Sequence, residues 1–306
     1  MNGLTPQAST ALHRPPPPGA LDDALDTLLR LQPVRAHAFL AGRACGTMGF
    51  ADDPDSAHLH LLQRGHMQVR GQGQSLTLNR PHLLFLPRPP QHWVHLDGEP
   101  GGADAVCASI RFGAQARNPI ADSLPDWLLV PLEDLPGVPP LVQLMFDEAA
   151  RQEPGRQSVL DQLCGVLILQ LLRHCLRAGL AERGALAGLA HPRLGPVLAA
   201  LHRDPRLDWP TEAMASLAAL SRPRFSELFT RVVGTQPARY LLQHRLRLAQ
   251  HELRQGRSLD WAADATGFSS ASALSRAFSR ELGCSPREWL RGTPGQQAGT
   301  ARHDLA

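Results

Sequence analysis

The sequence predicts an α+β chain: a β-rich front domain closed by helices, then an all-α domain with two helix-turn-helix units. Three observations predict it. Short apolar or alternating runs recur from about Val34 to Arg111, separated by Gly- and Pro-rich breaks such as Gly71-Gln72-Gly73 and Pro87-Arg88-Pro89-Pro90. Many short strands at that spacing make an antiparallel sandwich or small barrel. Two runs with apolar residues three and four apart follow, over 141–151 and 157–180, which is the period of an amphipathic helix. Finally, between Trp209 and Leu290 a small-residue helix, a turn and a helix centred on Phe occur twice, on either side of a longer amphipathic helix. The second helix of such a unit reads DNA from the major groove.

Composition bounds the rest. Hydrophobic residues make up 43% of the 306 and charged residues 19%, as in a globular protein with room for more than one core. No uninterrupted apolar run approaches the roughly 18 residues of a membrane span. The N-terminus has no basic stretch leading into an apolar one, so neither a membrane partner nor export is expected. Cys45, Cys107, Cys164, Cys175 and Cys284 form no CxxC pair; an odd, dispersed set fits a reducing cytoplasm. The net charge of +3 is unevenly spread. Residues 1–189 carry 15 arginines against 18 acids, and residues 190–292 carry 15 against 9. Lysine is absent, which GC-rich coding produces without a functional reason. The separation of sign fits a basic, DNA-facing domain behind a near-neutral or acidic one.

Taken in order, residues 1–20 end in Pro15-Pro16-Pro17-Pro18-Gly19 and form a disordered tail. Asp22 to Leu31 gives a short helix capped by its leading acids. The expected strands are Ala57–Leu62, Met67–Arg70, Ser75–Leu78, Leu83–Leu86, Trp93–Leu96 and Ala105–Phe112. Asn118 to Pro131 is expected to be connecting structure. Of the two helices that follow, the first carries Leu141, Leu144, Met145 and Glu148 on one face. The apolar face of the second is wider than one contact surface needs, so it packs on the barrel and either on a second subunit or within its own domain. Ala181 to Ala190 is a Gly/Ala-rich linker, and His191-Pro192-Arg193 starts the next helix. The expected domains are therefore 21–185, for sensing with a helical dimerisation segment, and 190–292, for reading DNA. A flexible tail occupies 293–306.

In the first unit Thr211 is expected to cap a helix reaching about Ala219, and Ser221 to cap the next, with Pro223 in its first turn. Phe225, Leu228, Phe229 and Val232 face inward, leaving Arg222, Arg224, Ser226, Glu227 and Arg231 toward a groove or its phosphates. Pro237 opens the middle helix, which runs to about Arg254 on a stripe of Ala238, Leu241, Leu242, Leu246, Ala249 and Leu253. Its roughly 18 residues span about 27 Å, enough to set the units in successive major grooves about 34 Å apart. In the second unit Ser258 caps a helix ending at Gly267, Ser270 caps the reading helix, Leu274 and Phe278 face inward, and Gly283 closes it. Ser270, Ser272, Ala273, Ser275, Arg276 and Arg280 are its candidate contacts. Arg276 comes first for a base edge, because arginine is the usual partner of guanine; a phosphate contact is the alternative.

These motifs resemble the DNA-binding domain of AraC/XylS-type transcriptional regulators. They are Pro237-x-x-Tyr240, Arg245-Leu246-x-x-Ala249, Ala265-Thr266-Gly267-Phe268, Phe278, Gly283-Cys284-Ser285-Pro286 and Trp289. Three positions depart from the family pattern: Ala219 stands where the first turn usually has Gly, Leu220 where Met or Val is common, and Thr266 for Val. The front stretch resembles the cupin-like barrel of many such regulators. His60 begins a strand before the Gly65 turn and Pro87 to His92 closes the barrel, with Pro89 for the usual glycine. The resemblance implies a cytoplasmic transcriptional regulator, an activator, that binds double-stranded promoter DNA, contacts RNA polymerase, forms a homodimer and answers a small-molecule, redox or metal signal.

The same resemblance supplies sensing candidates. His58, His60, His92 and His95 include positions where cupin enzymes hold a cation, and an HxH pair shares one strand face. Gln63 and Arg64 stand where a carboxylate is expected, so no metal and no cofactor is assigned; His60 and His92 remain as sensing candidates. Cys107 lies where members often carry a cysteine in the last strand, with Cys45 as partner if the strands bring the sulfurs close. A buried inert thiol is the other reading of Cys107. The alternative to a regulator is a cupin-type metal-binding protein or metalloenzyme fused to a DNA-binding tail; no enzymatic activity is expected.

Overall fold

The computed structural model describes residues 20–31, 33–53, 56–71, 73–98, 101–113 and 118–292. The tails expected at 1–20 and 293–306 lie outside them except for Ala20. Among the described residues nine strands form two antiparallel sheets. The larger has the order β1 (Val34–Ala44), β8 (Ala103–Phe112), β3 (Ala57–Arg64), β6 (His82–Leu86) and β9 (Leu128–Pro131). The smaller has the order β2 (Gly46–Phe50), β7 (His92–Asp97), β4 (His66–Gly71) and β5 (Gln74–Leu78). All six expected strands are present. The segment 118–131, expected to be purely connecting, ends in β9, which pairs with β6 from Phe85↔Leu128 to His82↔Pro131. Four residues are too few to display a period of two, so that strand carries no pattern of its own.

β3 explains how the front part is layered. Ala57 to Leu62 is buried throughout, because both faces of the larger sheet are covered. Ala57, Leu59 and Leu61 join a core on the helix side, while Leu62 joins one between the sheets with Met67, Val69, Leu84, Leu86, Val94 and Cys107. Successive side chains on a strand point to opposite faces, so His58 and His60 share the inter-sheet face with Leu62.

On the helix side lie α1 (Ala20–Leu31), α2 (Val138–Arg151) and α3 (Arg156–Ala178). α2 buries Val138, Val142 and Met145 and leaves Leu144 exposed, so its buried stripe is turned from the expected one. α3 buries Leu160, Cys164, Leu167, Ile168, Leu171, Leu172 and Cys175 and packs on β1 and α2. Among the described residues it is also the one helix long and apolar enough to cross a membrane.

The expected linker is instead a helix, α4 (Gly184–Ala190), buried from Ala185 to Leu189. Its small residues serve close packing rather than freedom: a Cβ on Gly188 would sit 2.9 Å from Leu198 Cδ2 and 3.0 Å from Val233 Cγ2. The next helix, α5 (Gly195–Arg203), begins later than expected. The chain turns first, with the backbone N–H groups of Arg193 and Leu194 donating to His191 Nδ1, and Pro196 takes the first-turn place.

The two helix-turn-helix units follow as α6 (Thr211–Leu217) with α7 (Arg222–Val233), and α9 (Leu259–Thr266) with α10 (Ala271–Leu282), joined by α8 (Pro237–Arg254) and closed by α11 (Pro286–Leu290). Their cores differ. Phe225 and Phe229 belong to the same continuous cluster as β3, α3, α4 and α5. Leu274 and Phe278 belong to a separate one. α8 serves both, with Tyr240 and Leu241 in the first and Leu246, Ala249 and Leu253 in the third.

Candidate nucleic-acid interface

The second helix of each unit is oriented by buried aromatic or aliphatic groups behind it. Phe225 and Phe229 on α7, and Leu274 and Phe278 on α10, are fully buried, which turns the opposite faces outward. The helix starts and stops are set locally. Ser270 Oγ accepts the Ala273 N–H at 3.1 Å, Ser258 Oγ accepts the Trp261 N–H at 3.2 Å, and Gly234 and Gly283 end α7 and α10 in the left-handed region. Gly267 has φ of 78°, and a Cβ there would lie 2.8 Å from the Arg206 Cα, so both backbone shape and space require glycine. Two expected caps are corrected. Thr211 lies inside α6, whose N-cap is Pro210, and Ser221 takes the N-cap position of α7 without a side-chain hydrogen bond.

None of the candidate DNA contacts is buried. Arg222, Arg224, Glu227, Arg231, Ser270, Ser272, Arg276 and Arg280 are exposed, and Ser226, Ala273 and Ser275 are half-buried. Salt bridges separate the arginines. Arg222 Nη1 lies 2.7 Å from Glu212 Oε1, Arg231 lies 4.0 Å from Glu227, and Arg280 lies 3.8 Å from Glu281. Among the described residues Arg224 and Arg276 form no salt bridge, so α7 and α10 each carry one such arginine. The Glu212–Arg222 pair joins α6 to α7, and helical spacing alone could not reveal it.

The turn of the first unit holds Ala219, the residue in place of the usual glycine, in the left-handed region. Ala219 has φ of 53°, a region that disfavours any Cβ. Ala219→Gly is expected to stabilise the protein by about 0.5–1 kcal/mol, read as a rise in the urea midpoint with unchanged slope. An unchanged or lower midpoint would mean that the surroundings hold this alanine without strain.

α8 departs from its expected stripe. Ala238 is exposed, while Tyr240, His244 and Gln250 are buried beside the leucines. A 2.7 Å hydrogen bond joins the Tyr240 hydroxyl to His202 Nε2, and the His202 and His244 rings stack with centroids 4.3 Å apart. Burial pushes the Tyr240 hydroxyl up to about 12 and, aided by His202 and the nearby arginines, holds His244 well below its ordinary value. These groups form the α5–α8 junction under the first unit. A search for apolar periodicity passes over them because they are polar.

The sensing candidates fall into two groups. His58 and His60 on β3 meet His92 at the start of β7: His92 Nε2 lies 3.3 Å from His58 Nδ1 and 3.2 Å from His60 Nε2. Burial pushes His58 down to about 4, with His92 adding to the effect, and holds His60 well below the usual imidazole range; His92 is also lowered, partly offset by the Pro90 carbonyl. His95 does not join them, being exposed on the outer face with Nδ1 2.9 Å from Thr47 Oγ1.

The cysteine pairing is corrected. Cys107 is fully buried and paired with Leu40 in the register, and burial raises its thiol far above the usual range. Cys45 is exposed beyond the end of β1, five residues past Leu40, about 16 Å of strand. That separation is too great for a disulfide. Cys164 and Cys175 are buried in α3 as expected.

Comparison with known proteins fits this geometry. A cupin model matches residues 23–177 and a helix-turn-helix domain model matches residues 214–292. The RCS-specific HTH-type transcriptional activator RclR of Escherichia coli K12 is 30% identical over 237 residues, covering 75% of this chain and 82% of its own. A putative AraC-like transcription regulator of Streptomyces lividans is 29% identical over 299 residues, covering 88% of this chain and 98% of its own.

The chain belongs to the AraC-type family of transcriptional regulators.

An HTH-type transcriptional regulator of Haemophilus influenzae, itself uncharacterized, is 28% identical to this AraC-type regulator over 294 residues, covering 88% of this chain and 98% of its own. These relatives are named as regulators and not as enzymes. The AraC-type assignment makes residues 214–292 its helix-turn-helix portion and the two sheets part of its cupin portion.

Proposed function

We propose that this AraC-type regulator binds promoter DNA sequence-specifically, with α7 and α10 in successive major grooves, and activates transcription when a signal reaches its front sheets. The observation that carries the reading is that, of the exposed arginines on each reading helix, one forms no salt bridge among the described residues, Arg224 on α7 and Arg276 on α10. A guanidinium without an acidic partner is ready to bond guanine O6 and N7. The 18 residues of α8 set a spacing of about 27 Å between the units, which suits neighbouring grooves on one side of a duplex. Activation follows the likeness to the E. coli activator, and contact with RNA polymerase is the route we propose for it.

Residues 21–185 serve as the sensing part and 190–292 as the reading part, with α4 packed between them. Because the first unit shares its core with β3, α3 and α4, a shift in the sheets reaches α7 through continuous packing. The second unit has its own core and follows through α8. Such coupling needs a front domain with two arrangements of different DNA affinity. The candidate inputs are a small molecule, an oxidant or a metal. His60 and His92 supply the buried polar centre, Cys45 supplies an exposed thiol, and Cys107 is sealed from solvent. The regulator acts in the cytoplasm, where its promoter DNA lies.

Dimerisation uses the exposed apolar side chains Leu144 on α2 and Val159 and Val166 on α3. Val159→Glu with Val166→Glu is expected to yield a monomer by light scattering while leaving the circular dichroism unchanged; a wild-type protein that is itself monomeric at micromolar concentration would contradict the dimer. The function as a whole is tested by genome-wide mapping of bound sites together with transcript levels. The expected result is enrichment at promoters whose transcripts fall when the gene is deleted. Binding without sequence preference, or bound promoters whose transcripts rise on deletion, would overturn it.

A further inference from the structure

A cleft of about 430 Å³ lies where the segment 118–131 and α4 meet α7, α8 and α10. Pro119, Asp122, Gly184 and Ala185 line one side, and Leu246, Arg247 and Leu282 are among the residues lining the other. We propose that this cleft binds a compact organic monocarboxylate, with Arg247 on α8 as the anchor for its carboxylate.

The balance of charge in the lining carries the argument. Four charged residues line the cleft: Asp122, Arg239, Arg247 and Glu281. Three of them are matched, Arg239 Nη2 lying 3.8 Å from Glu281 Oε2 and Asp122 Oδ1 lying 3.9 Å from Arg88 Nη1. Arg247 forms no salt bridge among the described residues. The side chain is half-buried, and its Nε is sealed from solvent without a hydrogen-bond partner. No aromatic face covers it either; the guanidiniums that lie over rings among the described residues are those of Arg254 and Arg257. Burial lowers the pKa of Arg247, with Tyr240 opposing the shift, yet a guanidinium keeps its charge in a protein. A cation withdrawn from water without a counter-ion is costly. An anion entering the cleft supplies the missing partner through charge-assisted hydrogen bonds.

The rest of the lining selects the kind of anion. The volume falls in the small-molecule range of roughly 300–1,000 Å³, more than a simple inorganic ion fills. The planar fork of a guanidinium matches the two oxygens of a carboxylate. Only one positive charge is left unmatched, and Asp122 and Glu281 stand in the same lining, so a single negative charge fits better than two. Val233, Leu246 and Leu282 offer apolar surface to the body of the ligand, and Gln243, one turn before Arg247 on α8, offers an amide.

The front side of the cleft is held in place before any ligand arrives. Arg88 donates to the carbonyls of Ala121 and Leu124, the latter at 2.8 Å. Ser123 in turn accepts the Glu182 N–H at 3.0 Å through its carbonyl and the Leu186 N–H at 3.3 Å through Oγ. A site fixed in this way loses little entropy on binding. It is separate from the imidazoles between the sheets and is measured without DNA, so it stands or falls independently of how a signal reaches the reading helices.

The test uses the full chain with two compact monocarboxylates, cyclohexanecarboxylate and phenylacetate, each paired with its uncharged amide, and with succinate and inorganic phosphate for comparison. Ligand-observed NMR and calorimetry at millimolar ligand are expected to show one equivalent of at least one monocarboxylate bound. Its amide should bind roughly 10–100-fold more weakly, the worth of a hydrogen bond to a charged group. Arg247→Met should weaken the carboxylate by the same factor and leave the amide unchanged, whereas His95→Ala on the outer sheet face should alter neither. Failure of both monocarboxylates to bind, equal binding of acid and amide, or full retention in Arg247→Met would overturn the proposal. Tighter binding of succinate or phosphate than of either monocarboxylate would overturn the ligand class. If Arg247→Met does not fold, the comparison of acid with amide on the wild type decides.

Discussion

Phe278→Ala is expected to destabilise the second helix-turn-helix unit by about 3–5 kcal/mol, the usual cost of removing a buried phenylalanine. Phe278 is fully buried at the centre of the third core, among Leu246, Ala249, Leu253, Ala262, Ala263, Leu274 and Ala277. Alanines make up four of these seven cluster members, whose short side chains cannot reach in to fill the cavity. The Phe278 ring also meets Trp289 edge-on at 5.6 Å, and the Arg254 guanidinium covers that indole at 4.4 Å, so the loss loosens the joint between α8, α10 and α11. Because this core is separate from the one joining the sheets to α7, the damage should stay local. Hydrogen exchange is expected to show lost protection in α9 and α10 while β3, β8 and α7 keep theirs. Equal loss throughout the chain would mean that the two cores melt as one.

The second large effect concerns DNA. Arg224→Ala and Arg276→Ala are each expected to weaken specific binding by about 1–3 kcal/mol and to relax preference at one base pair. They sit on different helices with separate cores, so their effects should add, and the double variant should lose about 2–6 kcal/mol. Arg222, Arg231 and Arg280 already have carboxylates within 2.7, 4.0 and 3.8 Å, and their replacement by alanine should cost less. A loss that is the same on every sequence would instead mark a phosphate contact.

Sequence periodicity revealed most of the helical part because its elements are long and regularly amphipathic. Phe225, Phe229, Leu274 and Phe278 are buried as their spacing requires, and Ser258, Ser270, Gly234, Gly267 and Gly283 cap or end their helices as expected. What escaped was whatever periodicity does not encode. β9 is too short to alternate. α4 looks like a linker because Gly and Ala serve close packing as well as flexibility. Tyr240, His244 and Gln250 occupy core positions with polar side chains, so an apolar stripe on α8 misses them. In the front domain, His60 and His92 were legible as strand residues, but only the pairing of β3 into one sheet and β7 into the other brings His58, His60 and His92 together. The same register carries Cys45 away from Cys107. In both cases the decisive fact is which strands face one another, and that is set by long-range packing.

Selection of binding sites from random duplex DNA, run in parallel on the wild type, Arg224→Ala and Arg276→Ala, distinguishes paired from single-groove reading. Two reading helices in successive grooves predict a bipartite site with its halves about 10 base pairs apart, with each variant losing preference at one position in a different half. A site confined to one half, or two variants that lose affinity without any change in preferred sequence, would contradict it.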